Sequence, residues 1–116
     1  MSDLPILFKD FHEIESRPNF DTNCEITISN FALLLGEYNF SNEVICQVLK
    51  QDGKCGHKHK YGWLARTHDG TEGLIGNHCA SKYFQANANF ALEKNRVRKE
   101  ININENLEKL AILLNN

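Results

Sequence analysis

Residues 46–84 read CQVLKQDGKCGHKHKYGWLARTHDGTEGLIGNHCASKYF, and this stretch decides how the chain folds. It contains three of the four cysteines and four of the five histidines of the 116-residue chain. In a reducing compartment, cysteines that cluster with histidines bind a metal more often than they form disulfides. Zinc prefers four thiolate or imidazole ligands arranged in a tetrahedron. The stretch therefore predicts a zinc site.

Strand and helix patterns surround these cysteines. Residues 43–49 are rich in β-branched side chains, which favours a strand. Two strand-like runs, 61–67 and 71–75, flank an Asp-Gly pair, a pattern typical of a β-hairpin. From Ala80 onward the sequence becomes helical. The stretch thus predicts a knuckle, a hairpin and a helix start in that order, with a cysteine before the hairpin and another after it.

The predicted ligands come from both sides of the hairpin. Cys55 lies on the knuckle, and Cys79 lies at the helix start, where the helix dipole favours a thiolate. Cys46 can reach in from the preceding strand. The fourth ligand is His59, because four residues from Cys55 leave room for the knuckle to close, or else His57. The other cysteine and histidines are expected to lie outside the site: His12, Cys24, His68 and His78.

The segment from Cys55-Gly-His57 to Ile75-Gly-Asn-His-Cys79-Ala-Ser-Lys-Tyr-Phe84 resembles a treble-clef zinc module. Similar modules occur in uncharacterised bacteriophage and mobile-element proteins. The resemblance covers residues 46–84 only, and it implies a zinc ion and a fold fragment but no particular activity. The chain departs from the usual pattern, because Asp52 and Gly53 stand where the first knuckle cysteine commonly falls.

The length fits a single domain of small α+β class, in which helices flank the zinc module. We divide it into an N-terminal lead-in (1–43), the zinc module (44–84) and C-terminal helices (85–116). The lead-in is expected to be irregular, with a short helix at 8–15. Residues 30–35 predict a second helix, with Ser29 as N-cap and Gly36 as its stop, and the alternative is a strand over 25–28 that enters it.

The C-terminal region predicts two helices. Polar, poor helix formers interrupt the pattern at 102–106. The last helix, 105–114, repeats apolar side chains at i, i+3, i+4 and i+7, which predicts an amphipathic face: Leu107, Leu110, Ala111 and Leu114. That face packs on the core or, alternatively, binds a partner.

Charge is distributed unevenly along the chain. Residues 44–99 carry ten Lys/Arg against four acids, whereas the remainder carries three against eleven. A basic centre suggests an anionic partner, and basic residues interleaved with aromatics are typical of nucleic-acid binding. The candidate contact residues are Lys58, Lys60, Trp63, Arg66 and Lys82. The alternative is a solvated surface over aromatics that form the core of the hairpin.

Three functions compete at this stage. The first is a zinc-stabilised binding module without catalysis, which recognises nucleic acid or a host protein as a phage protein would. The second is a ββα-metal nuclease with His57 or His59 as base and Asn77 and His78 as further parts. Its difficulty is that residues 80–84 provide no histidine within the expected helix. The third is an interaction subunit that assembles through the C-terminal amphipathic helix.

Composition limits where the protein works. No run of 18 or more apolar residues is present, so a membrane span is not expected. The first residues, MSDLPILFKDF, lack a basic leader with a long apolar stretch, which argues against a secretory signal. We therefore expect a cytoplasmic protein. The sequence does not indicate an oligomeric state.

Overall fold

One long strand organises the fold. The computed structural model describes residues 5–51 and 53–114, with side chains up to residue 102. In chain order the elements are β1 (Ile6–Phe8), α1 (Phe11–Glu15), β2 (Phe31–Ile45), β3 (Leu49–Lys50), β4 (Gly53–Lys54), β5 (Lys58–Thr67), β6 (Glu72–Gly76), α2 (Asn77–Lys82) and α3 (Ala88–Leu114). The α+β class predicted from the sequence is confirmed.

The main sheet is mixed and has four strands in the order β1-β2-β5-β6. The first pair is parallel, and the other two are antiparallel. The hairpin of β5 and β6 agrees with the pattern around the Asp-Gly pair. Its turn is held by Asp69, whose Oδ1 accepts hydrogen bonds from the Thr67 hydroxyl and, at 3.0 Å, from the Thr71 N–H. A separate two-stranded ribbon, β3 and β4, lies just before Cys55, where the sequence predicts the knuckle.

The prediction of a helix over 30–35 is wrong, because β2 begins at Phe31. This strand pairs with β1 on one side and with β5 on the other. The side chains in the first half of β2 are mostly buried on both faces of the sheet, so the apolar residues there form a continuous run rather than an alternating one. A short continuous apolar run has no periodicity that distinguishes a buried strand from a helix. The segment 1–43, expected to be an irregular lead-in, therefore supplies most of the central strand.

Two clusters of buried side chains cover the two faces of the sheet. One cluster includes Phe8, Ile14, Tyr38, Leu64 and Leu74, on the side of β1 and α1. The other lies beneath α2 and α3 and contains Phe31, Trp63, Ile75, Phe84, Phe90, Val97 and three cysteines of residues 46–84. The predicted metal module is therefore part of the core of this second face.

The two C-terminal helices begin and end elsewhere than expected. α2 begins at Asn77, three residues before Ala80. α3 begins after Asn87, whose side chain accepts a hydrogen bond from the Phe90 N–H at 2.8 Å and so acts as an N-cap. The break predicted at 102–106 is wrong, because α3 continues through it to Leu114. The predicted apolar face at Leu107, Leu110, Ala111 and Leu114 lies outside the described side chains.

Helix α3 is fixed to β2 through backbone groups of Leu34. Glu93 Oε1 accepts a hydrogen bond from the Leu34 N–H at 2.9 Å, and Arg96 Nη2 donates to the Leu34 carbonyl at 2.8 Å. The register of β2 with β5 shifts next to this residue, which leaves its backbone groups free to bond with the helix. Within the residues that the structure describes, no helix is long and apolar enough to cross a bilayer.

Candidate metal centre

Three cysteine sulfurs converge at one point of the core. The Sγ atoms of Cys46, Cys55 and Cys79 all lie within 4.8 Å of one another, and those of Cys55 and Cys79 are 3.1 Å apart. All three residues are buried, and all are free thiols. Zinc–sulfur bonds of about 2.3 Å in a tetrahedron place sulfurs about 3.8 Å apart. The Cys55–Cys79 separation is shorter than this value and no separation exceeds 4.8 Å, so small shifts allow the three cysteines to hold a metal ion together.

Each cysteine comes from a different element, and backbone hydrogen bonds fix the junctions. Cys46 follows β2, and its N–H donates to the His57 carbonyl at 2.9 Å. Cys55 follows the knuckle, and its N–H donates to the Val48 carbonyl at 2.9 Å. Cys79 lies in the first turn of α2. The strand end, knuckle and helix start thus meet at the sulfurs, as the sequence predicted for these three residues.

Gly56 allows the chain to turn out of the knuckle. Its φ of 66° lies in the left-handed region, which side chains with a Cβ adopt at a cost. The turn leads the chain from Cys55 directly into β5. Gly53, in the knuckle itself, also has a positive φ of 119°, while the neighbouring Asp52 lies outside the described residues.

Hydrogen bonding favours a thiolate at Cys46. A hydrogen bond from the Cys79 thiol, with further backbone bonds from Gly76 and Val48, lowers the pKa of Cys46 to about 6 despite its burial. The Gly76 N–H lies 3.2 Å from Cys46 Sγ. The same thiol contact raises the pKa of Cys79, since its proton is held by the neighbouring sulfur. Hydrogen-bond donors therefore stabilise a thiolate in the cluster, and the thiolate is the form of cysteine that binds a metal ion.

Three histidines lie together near the cysteines without joining their group. The imidazole centroids of His57, His59 and His78 are 5.9–6.4 Å apart, and their planes differ by 7–17°. His57 and His78 are exposed, whereas His59 is half-buried. Among the described residues, the three cysteines form the only group of three or more potential metal ligands whose ligating atoms all lie within 4.8 Å of one another. The choice between His57 and His59 as fourth ligand thus stays a prediction.

Cys24 lies outside the cluster, as expected from its position in the sequence. Its thiol is buried beside Gly73, in β6. Burial, with a smaller contribution from nearby carboxylates such as Asp69, raises its pKa to about 11. The thiol is therefore protonated at neutral pH and behaves as a small apolar side chain.

Trp63 is a core residue and does not present a stacking surface. Its side chain is 1% exposed and packs edge-on against Phe90, with the Arg98 guanidinium 5.2 Å from its ring centroid. A base cannot reach it in this fold. The alternative that the hairpin needs aromatic side chains to form its core accounts for this position.

Arg66 is held in an ion cluster that the sequence interpretation missed. Its Nη2 lies 3.2 Å from Oε2 of Glu72, which is 1% exposed, and Arg17 Nε lies 2.6 Å from the other carboxylate oxygen. Arg66 and Glu72 are cross-strand partners in the hairpin. Opposite charges at paired positions stabilise a sheet, so the predicted register could have revealed this pair. Arg17 comes from a distant segment and had no such signal.

The remaining predicted contact residues are exposed, and the two that lie on β5 do not share a face with Trp63. Lys58, Lys60 and Lys82 are all exposed. Successive side chains alternate between the faces of a strand, so Lys58 and Lys60 lie on the opposite face of β5 from Trp63. The two lysines alternate with the half-buried His59 and Tyr61. The interleaved aromatic and basic residues therefore separate into a buried set and an exposed set.

Comparisons with known proteins provide no information about this site. No protein-family model matches this chain, and searches of curated proteins and of solved structures likewise found no match.

Proposed function

We propose that the protein is a zinc-stabilised binding module. The observation that carries this proposal is the convergence of three buried, free cysteine sulfurs on one point. Zinc suits these ligands because it is redox-inert and favours thiolates in a tetrahedral arrangement. With a histidine as fourth ligand the ion would have no open position, which is the arrangement of a structural site.

The order of elements around the sulfurs supports a treble-clef arrangement. A knuckle (β3 and β4), a hairpin (β5 and β6) and a short helix (α2) follow one another in the chain. One cysteine follows the knuckle, and another lies at the start of the helix. Cys46, directly after β2, takes the place of the missing first knuckle cysteine. Such a module stabilises a surface for recognition without itself performing chemistry.

For the partner we favour nucleic acid over a host protein. Lys58, Lys60 and Lys82 are exposed near the site, and none takes part in an ion pair among the described residues. Arg66, Arg96 and Arg98 are instead paired with carboxylates. Surface lysines without an ion-pair partner bind mainly to phosphate groups. Binding of nucleic acid should therefore show little sequence preference and a strong dependence on salt.

Gel-shift assays with single- and double-stranded DNA and RNA test this partner. The triple variant Lys58→Ala, Lys60→Ala, Lys82→Ala should weaken binding of all these probes alike and flatten the salt dependence. Lys94→Ala with Lys99→Ala, on α3, is the matched control, because it also removes exposed or half-buried lysines but away from the module. No shift at micromolar protein in about 50 mM salt, where phosphate contacts are strong, would leave a protein partner as the better hypothesis.

A nuclease is the second candidate, and one observation favours it. α2 begins at Asn77, so both Asn77 and His78 belong to the helix, and His57 lies 5.9 Å from His78 between ring centroids. This answers the objection that the helix carries no histidine. Nicking of plasmid DNA with added Mg²⁺, lost in His57→Ala and His78→Ala, would support this function. Intact plasmid after prolonged incubation would exclude it.

A further inference from the structure

His59 is the one histidine near the cysteines that has a buried nitrogen without a partner. Its Nε2 is inaccessible to solvent and makes no hydrogen bond with the described residues. A buried polar atom without a hydrogen-bond partner destabilises the folded state, because it has lost its contacts with water. Such groups in native structures commonly reflect a catalytic role, a water or an ion. His57 and His78, in contrast, have exposed side chains that water can satisfy.

Gly76 links this nitrogen to the cysteine cluster. A Cβ placed on Gly76 would lie 2.2 Å from His59 Cδ2 and 2.8 Å from Nε2, so the edge of the imidazole that carries Nε2 occupies the place of a side chain. The N–H of the same glycine donates to Cys46 Sγ at 3.2 Å. One residue therefore contacts both the imidazole and a thiolate, and only glycine leaves room for the ring.

From this geometry we infer that His59 Nε2 completes the zinc site as the fourth ligand, and that Gly76 is the residue that makes its approach possible. The inference rests on the proposed zinc site, and it selects His59 over His57 as the fourth ligand. Ligation requires the His59 ring to turn toward the sulfurs while it stays over Gly76, because its nitrogens stand outside the 4.8 Å group formed by the sulfurs. His57 and His78 then remain on the surface, free to contact a partner.

Two measurements on the unaltered 116-residue chain test the ligand set. X-ray absorption at the zinc edge should give three sulfurs at about 2.3 Å and one nitrogen at about 2.0–2.1 Å. After substitution with spin-active cadmium, NMR correlations from the metal should reach the β protons of Cys46, Cys55 and Cys79 and the ring protons of His59. Correlations to the ring of His57 or His78 instead, or to four sulfurs, would overturn the inference.

Histidine variants then compare the three candidates directly. His59→Ala should weaken zinc affinity by more than tenfold, since even the loss of a group that supports a ligand costs 10- to 100-fold. His57→Ala and His78→Ala are the matched controls, and their zinc affinities should equal that of the unaltered protein. Equal weakening in all three variants, or weakening in His57→Ala alone, would contradict the assignment.

Gly76→Ala provides an independent test at a residue that carries no ligand. The added methyl group would displace the His59 ring, so the nitrogen should disappear from the zinc absorption spectrum while the three sulfurs remain. An unchanged nitrogen in this variant would contradict the role of Gly76. If the unaltered protein binds no zinc in any of these experiments, the proposed function itself fails, which is a distinct outcome from a wrong fourth ligand.

Discussion

At the scale of single residues, position in the fold separates the four cysteines into three candidate metal ligands and one core side chain. Cys55→Ser and Cys79→Ser should each lose zinc, because a serine hydroxyl is a poor substitute for thiolate in a buried site. Cys24→Ser is the matched control and should keep the metal, since its thiol packs against Gly73 away from the cluster. Metal content by elemental analysis, with thermal unfolding beside it, measures both effects.

Equal loss of zinc in all three cysteine variants would show that the ligands have been assigned wrongly. Cys46→Ser should behave as the two ligand variants do, because its sulfur also receives the Gly76 N–H. Retention of metal by Cys46→Ser would indicate that this residue does not complete the site.

A second prediction at the scale of single residues concerns the stability contributed by Trp63. Trp63→Ala should reduce the free energy of unfolding by about 3–5 kcal/mol, the cost of removing a large buried aromatic side chain. His68→Ala, at an exposed position of the hairpin turn, should change it little. Chemical denaturation provides the measurement. A Trp63→Ala protein of normal stability that fails only in nucleic-acid binding would show that the indole meets a base after all.

At the scale of elements, the turn after the knuckle depends on the left-handed backbone conformation of Gly56. Gly56→Ala should destabilise the protein by about 1–2 kcal/mol, because a side chain with a Cβ disfavours this conformation. No atom of the described residues lies within 4 Å of the place its Cβ would take, so crowding contributes nothing. Gly56→Asn should cost less, since asparagine tolerates a positive φ. Equal costs for the two variants, measured by denaturant unfolding, would argue against this conformational explanation.

The same scale shows why some elements could be predicted and others could not. The hairpin was predictable because its turn and its strand-like runs lie within 15 residues of one another. β2 was not, because an apolar run buried on both faces looks like a helix until its partners are known. α3 continues through residues 102–106 although they are poor helix formers. Local helix propensity is a weak predictor, because tertiary contacts often override it.

The candidate site divides in the same way. The grouping of Cys46, Cys55 and Cys79 followed from their spacing and from the redox argument. The burial of Trp63 and the pairing of Arg66 with Glu72 depend instead on packing in the folded chain. The role of Gly76 was also beyond prediction, since it arises from the approach of His59 across the hairpin. Sequence patterns identified the residues that carry chemistry more readily than the surfaces left exposed.

At the scale of the whole molecule, the cysteine cluster lies between the second face of the sheet and the C-terminal helices. The cysteines belong to the same buried cluster as Phe31, Trp63, Phe84 and Phe90. Structural zinc contributes about 10–16 kcal/mol to small folded modules. A chelator should therefore loosen residues 46–84 and the contacts of α2. Hydrogen exchange should show lost protection there first, and unchanged exchange after metal removal would contradict a structural role.

The central claim is that the three cysteines and one histidine hold a single zinc ion. Mass spectrometry under native conditions, on protein purified without a histidine tag, tests it most directly. We predict the mass of the polypeptide plus one zinc, and the mass of the polypeptide alone after acid denaturation releases the ion. The bare polypeptide mass under native conditions, from cells supplied with zinc, would contradict it.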